Sequence, residues 1–201
     1  ISCWQSWHGN TVGALSMSGR SAWRKDYTPY LLDFPHISSH STDELERVIR
    51  QVGPEYISAF IAEPILGTSS AALVPPDDYF PTAREICDHY NILLIIDEVV
   101  TGFGRLGHWF ASEAIFDVCP DIITFAKGVT SGYVPLGGFA VSDAFMAEIS
   151  LDNADGYIFP TGYTWSANPV SCAAGLAVWD IIVNERLLVH VQEVAPYFQD
   201  R

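Results

Sequence analysis

Basic residues are scarce in this chain. Across 201 residues, Lys and Arg number 10 against 24 Asp and Glu, a formal net charge of −14. A surface of that sign repels phosphate backbones and anionic headgroups, so neither nucleic acid nor a membrane surface is an expected partner. Only two lysines are present, Lys25 and Lys127. The 4 cysteines (Cys3, Cys87, Cys119, Cys172) form no CxxC or CxxH pair. That spacing excludes a zinc or disulfide framework and fits thiols of a reducing compartment, so a cytoplasmic location is expected. No apolar run reaches the ~20 residues that span a bilayer. The best candidate, 92–96, stops at Asp97 and Glu98. Fixed-period repeats, a Pro/Ser-rich linker, a GxSxG nucleophile elbow and a GKT/GKS phosphate loop are also missing. The chain has no initiator Met and no signal-peptide pattern, and it opens inside a strand-like segment, so a fragment of a longer protein is expected.

What is present is ample apolar material, 49% of residues, enough for a packed core. Apolar stretches alternate with amphipathic ones, the pattern of an α/β protein with a mostly parallel sheet and flanking helices. We expect one domain over 1–201. Strands are predicted at 1–6, 56–62, 92–96, 121–126 and 136–141, the middle three being near-continuous apolar runs suited to burial on both faces. Ser41 and Glu44 predict a capping box ahead of a helix that Gly53-Pro54 stops. Residues 78–90 predict a second helix, and Asn168-Pro169 an N-cap and first position for a long helix to Asn184.

Ligands of open α/β sheets collect at the carboxyl ends of the strands. Here those ends read Trp7-His8-Gly9, Glu63-Pro64, Asp97-Glu98 and Lys127-Gly128. Lys127 follows an apolar strand directly, where partial desolvation would favour the neutral, nucleophilic amine that forms a Schiff base with a carbonyl. The plain structural alternative is a strand-end lysine reaching water or pairing with an acid. Asp97 stands 30 residues earlier, one βαβ-type crossover away, so both side chains are expected to open into one pocket. A buried carboxylate needs a partner, and a protonated ring nitrogen is a suitable one. Lysine for an aldehyde and acid for a pyridine nitrogen are the two groups pyridoxal phosphate requires; an Asp–Lys ion pair is the alternative. Trp7 could lie flat on such a ring or simply pack. Thr164, in Gly162-Tyr163-Thr164, offers a hydroxyl and an N–H to a phosphate, or is an ordinary turn residue.

Two other motifs count for less. Gly102–Gly107 matches GxGxxG, but it starts five residues after its strand, and the next strand ends in Lys127 where a dinucleotide site wants an acid. His36 and His40 have i, i+4 spacing in a loop-like segment with no third ligand nearby, so no metal site is expected.

Taken together, Ile95-Ile96-Asp97-Glu98-Val99-Val100-Thr101-Gly102-Phe103-Gly104-Arg105 and Phe125-Ala126-Lys127-Gly128 resemble the signature of class III (ω-amino acid) aminotransferases, pyridoxal-phosphate enzymes of fold type I. The resemblance continues at Trp7–Thr11, Ala62–Ile65, Pro135–Gly138 and Gly162–Pro169, in the family's order. It implies the incomplete large domain of a transaminase that moves an amino group from an amine or ω-amino acid to a keto acid such as pyruvate by ping-pong chemistry. It implies Lys127 as the Schiff-base lysine and proton shuttle, and Asp97 as the partner of the pyridine nitrogen. Val99 and Trp7 would cover opposite ring faces, Trp7 where the family usually has Tyr. His8 and Glu63 would also belong to the cofactor site. Thr164 resembles the threonine that reaches the phosphate of a partner subunit's cofactor, which implies a homodimer with shared sites. The family's phosphate loop and C-terminal small domain, which often supplies an arginine for the substrate carboxylate, are expected outside these residues. The same cofactor residues would also serve a decarboxylase, racemase or aminomutase, and a silent scaffold could keep the fold.

Overall fold

A computed structural model describes residues 1–67, 71–151 and 162–199. The chain forms two compact units, one of Ile1–Asp97 with Ser112–Pro120, the other of Glu98–Ala111 with Asp121–Arg201.

In the first unit, strands β1 (Ser2–Cys3) and β2 (His36–Ile37) pair in parallel, as do β3 (Ala59–Ala62) and β4 (Leu93–Asp97). Ala59 lies opposite Leu93 and Ala62 opposite Ile96. Ile1 donates to Ala59 O at 2.9 Å and accepts from Ile61 N at 3.1 Å, which lays β1 beside β3. Helix α1 (Val12–Met17) follows β1; α2 (Thr42–Val52) and α3 (Tyr79–Tyr90) precede β3 and β4. Leu45, Val48 and Ile49 form the i, i+3, i+4 stripe of α2, and Phe80, Ala83 and Cys87, at i, i+3 and i+7, that of α3. With Ile37, Phe60, Leu94 and Ile96 they make the core, each large side chain contributing about 1.5–3 kcal/mol by leaving water. Ser41 caps α2 as expected, its Oγ accepting from Glu44 N at 3.2 Å. The reciprocal half of the box is absent. Glu44 instead accepts from Ser38 N at 2.7 Å, because the turn at His40 (φ 69) brings Ser38 within reach. Gly53 ends α2 at φ 97, a conformation a Cβ would strain.

In the second unit, β5 (Ile122–Phe125) and β6 (Gly138–Val141) pair antiparallel, Ile122 opposite Val141. Then come α4 (Asp143–Leu151), α5 (Pro169–Asn184) and α6 (Leu187–Gln199). Asn168 caps α5 as expected, its side-chain oxygen accepting from Val170 N at 3.1 Å and Ser171 N at 3.3 Å, with Pro169 first in the helix. Trp109 stacks on Trp179 with ring centroids 4.0 Å apart, fastening α5 to the loop before residue 111.

The fold is thus α/β with parallel strand pairs and flanking helices, as the alternating pattern predicts. The strands are shorter than their apolar runs. β1 stops at Cys3 because Gln5 turns left-handed (φ 70) and Ser6 bonds back to Cys3 O through both N and Oγ. A 3-10 turn at Pro54–Tyr56 delays β3. β6 is largely exposed, whereas β3 and β4 alternate between buried and half-buried.

Candidate active site

The strand ends of the first unit bring four of the expected residues together. Asp97, the last residue of β4, is 6% exposed, and its Oδ2 lies 2.7 Å from Nδ1 of His8, whose side chain is 3% exposed. The other imidazole nitrogen, Nε2, is buried and has no hydrogen-bond partner. Glu63, just past β3 and 5% exposed, accepts from Trp7 N at 2.7 Å. Burial raises the Glu63 carboxyl above the usual glutamate range; the N–H groups of Trp7 and Gly67 and the nearby His8 oppose that, while Asp97 adds to it. The Trp7 ring meets the edge of Trp23 at 4.5 Å, and Arg20 lies 4.5 Å over the Trp23 ring.

This geometry follows from local sequence. Beyond β1 the chain reverses into α1, capped by Thr11, whose Oγ1 accepts from Ala14 N at 3.4 Å. It returns at Ser18-Gly19 against the backbone just left behind, with Gly19 N bonded to Ser6 O at 3.0 Å. A Cβ on Gly19 would collide with the backbone of Cys3, Trp4 and Gln5, so only glycine permits this approach. Arg24 closes the C-terminal end of α1, its Nη1 donating to the carbonyls of Leu15, Ser16 and Ser18 at 3.2, 2.6 and 2.8 Å.

In the second unit, Lys127 follows Ala126 at the end of β5 and opens a one-turn 3-10 helix, Lys127–Thr130. Its φ is +41, in the left-handed region where a non-glycine residue costs on the order of 1–3 kcal/mol and persists only when its surroundings enforce it. Gly132 N bonds to Lys127 O at 3.2 Å, which closes the turn, and Gly128 packs so tightly on Phe103 that an added Cβ would lie 2.9 Å from Phe103 Cβ. The turn carries the side chain outward. Lys127 is exposed, which corrects the expected desolvation at this strand end. It borders a cleft of about 670 Å³ with Phe103, Arg105, Tyr133, Val178 and Ile182 among its walls. Glu98 is fully buried and accepts from Thr101 Oγ1, and Glu98 N bonds to Thr124 O at 2.9 Å. Val99 is half-buried. Thr164 is exposed in the turn before α5.

The GxGxxG match falls in a loop. The glycines of 102–107 close a loop on itself, Phe103 N to Trp109 O at 2.7 Å and Gly104 N to His108 O at 3.0 Å. No helix N-terminus follows those glycines directly to cradle a pyrophosphate. Among the described residues no cluster of three or more His, Cys, Asp or Glu could hold a metal ion.

The sequence pattern gave Asp97 a ring nitrogen for partner and placed His8 in the cofactor site without pairing it to Asp97; the structure joins the two across 89 residues of chain. The available signal was a histidine directly after an aromatic residue, past the end of a strand two places from β4. Ser18 carried no signal.

An α/β fold with a buried acid at one strand end and a constrained lysine at another agrees with what the resemblance to class III aminotransferases implies. The model of that family, aminotransferase class-III, matches residues 1–201, and the chain belongs to it. It is 37% identical to the putrescine–pyruvate aminotransferase of Pseudomonas aeruginosa, over 100% of this chain and 47% of that protein. A transaminase from the marine bacterium Virgibacillus superposes with a TM-score of 0.87 at 40% identity, covering 94% of this chain and 43% of that one. The omega transaminase of Pseudomonas jessenii, solved in complex with PMP, superposes with a TM-score of 0.85 at 31% identity, covering 94% and 46%. The chain spans about half the length of the curated relatives it matches.

Proposed function

We propose that this chain is the cofactor-binding part of a pyridoxal-phosphate-dependent transaminase that moves an amino group from an amine or ω-amino acid to a keto acid such as pyruvate. Family membership supports the class, and relatives named for putrescine and pyruvate support the substrates. The observation that carries the proposal is Lys127: one of two lysines in the chain stands exposed at a strand end, in a backbone conformation that must be enforced.

The donor set fits the cofactor. An accessible primary amine suits an aldehyde, and a buried carboxylate fixed by an imidazole suits the N–H of a pyridinium. When bound, pyridoxal phosphate supplies the electron sink and carries the amino group between the two half-reactions. Lys127 Nζ holds the cofactor. It also takes the proton from the carbon bearing the donor's amino group and delivers one to the carbon of the acceptor. Asp97 holds the pyridine nitrogen, and His8 holds Asp97. Trp7 and Val99 would hold the ring of the cofactor, and Glu63, which accepts from Trp7 N, would belong to the same site. Thr164, exposed in the turn before α5, would hold the phosphate of a partner subunit's cofactor, an arrangement that calls for a homodimer with shared sites. Residues 1–201 belong to one large domain, and four free thiols suit a cytoplasmic enzyme.

Substituting Lys127→Ala in the full-length protein removes transamination and the visible absorbance that pyridoxal phosphate gains on the protein. Turnover retained by that variant refutes the proposal.

A further inference from the structure

Trp7 and His8 lie past the end of β1, so no strand neighbour takes their backbone N–H groups. Two side chains take them instead. Glu63 Oε1 accepts from Trp7 N at 2.7 Å, and Ser18 Oγ accepts from His8 N at 2.9 Å. The acceptors arrive from different elements, Glu63 from the carboxyl end of β3 and Ser18 from the C-terminal cap of α1. Both are buried, so neither bond competes with water. The Ser18 hydroxyl donates to Ala14 O at 2.9 Å, which turns its lone pairs toward His8. The Ser18 carbonyl is held in turn by Arg24 at 2.8 Å, and Gly19 locks the segment against the Trp4 backbone.

We infer that Ser18 and Glu63 are positioning residues: by holding two successive amides they set the Trp7 ring and aim Nδ1 of His8 at Asp97. The inference rests on the proposal that Asp97 holds the pyridine nitrogen, and it gives Glu63 a role that needs no contact with the cofactor. A histidine attached only through its side chain would swing about its own backbone. With the amide pinned, the imidazole is held in place for its 2.7 Å contact to Asp97.

Hydrogen exchange on the full-length protein without cofactor tests the anchoring. In the wild type the Trp7 and His8 amides exchange far more slowly than unstructured ones, although neither belongs to a strand or helix. Ser18→Ala speeds the His8 amide on the order of tenfold or more, the loss expected of a buried bond, and leaves Leu94 and Ile96 unchanged. Glu63→Ala does the same to Trp7, and Glu63→Gln, which keeps an acceptor oxygen, restores its protection. In the holoenzyme, Ser18→Ala moves the pH midpoint of the cofactor's visible band and lowers kcat with KM for the amine within about twofold. A purely structural role would move neither the midpoint nor the kcat-to-KM split.

Wild-type Trp7 and His8 amides exchanging at unstructured rates overturn the inference without need of any variant. So does an unmoved midpoint in Ser18→Ala. Protected amides in a protein that binds no pyridoxal phosphate leave the anchoring standing and remove the cofactor assignment of Asp97.

Discussion

Asp97→Asn replaces a buried carboxylate by its neutral isostere. The side chain keeps its shape and its place at the end of β4, so packing changes little. The bond to His8 loses its charge assistance: at 2.7 Å, with both side chains nearly inaccessible, it belongs among hydrogen bonds worth about 1.5–3 kcal/mol, against about 0.5–1.5 for a neutral pair. Because the amide oxygen still accepts from Nδ1–H, the difference, about 1 kcal/mol, is what the cofactor-free protein loses. The larger effect falls on the ligand. A pyridinium N–H facing an amide instead of a carboxylate loses interaction of about 1.5–3 kcal/mol, which weakens pyridoxal phosphate roughly 10- to 150-fold. Urea unfolding of the cofactor-free protein and absorbance titration with pyridoxal phosphate measure the two effects separately. Unchanged cofactor affinity and turnover in Asp97→Asn refute the assignment of this acid, whatever the stability does. An affinity loss matched by a stability loss of several kcal/mol refutes the isosteric premise.

Two further outcomes test the scaffold around that acid. Gly19→Ala places a Cβ 2.5 Å from Gln5 N and 2.6 Å from Trp4 Cα, rigid backbone that cannot yield; a loss of about 1–3 kcal/mol is expected in urea unfolding, and a stability equal to wild type contradicts the close approach. Burial and the neighbouring Arg24 hold His36 below its ordinary 6.5. The unfolded chain therefore takes up a proton near pH 6.5 that the folded protein resists, and stability falls as pH drops through that value. Comparing wild type with His36→Gln at pH 7.5 and 5.5 isolates this slope, which the variant lacks.

The parts legible in the sequence are those governed by local rules. The runs before Asp97 and Lys127 read as strands because continuous aliphatic stretches of that length suit buried strands, and Asn168-Pro169 read as a helix start because cap chemistry needs only three residues. The strand-end positions of Glu63, Asp97 and Lys127 followed from such strands; Trp7, expected at the end of β1, lies four residues past it. What escaped depends on where the chain returns. The His8–Asp97 contact joins residues 89 apart, and Ser18 meets His8 only because Gly19 permits a backbone approach no pattern announces. Lys127 was expected to be desolvated because apolar residues precede it. A single left-handed φ at the end of β5 turned it outward, and backbone dihedrals of that kind leave no mark on hydropathy. The half-formed capping box at Ser41 has the same origin, a turn at His40 that diverts Glu44 to Ser38.

Reduction by borohydride of the full-length protein equilibrated with pyridoxal phosphate, followed by peptide mass analysis, tests the central claim most directly. With only Lys25 and Lys127 in these residues, the outcome here is close to binary. A stable pyridoxyl group on the peptide containing Lys127, and none on that containing Lys25, is the predicted result. Label on Lys25, or no label on Lys127 in a protein that turns over substrate, contradicts it.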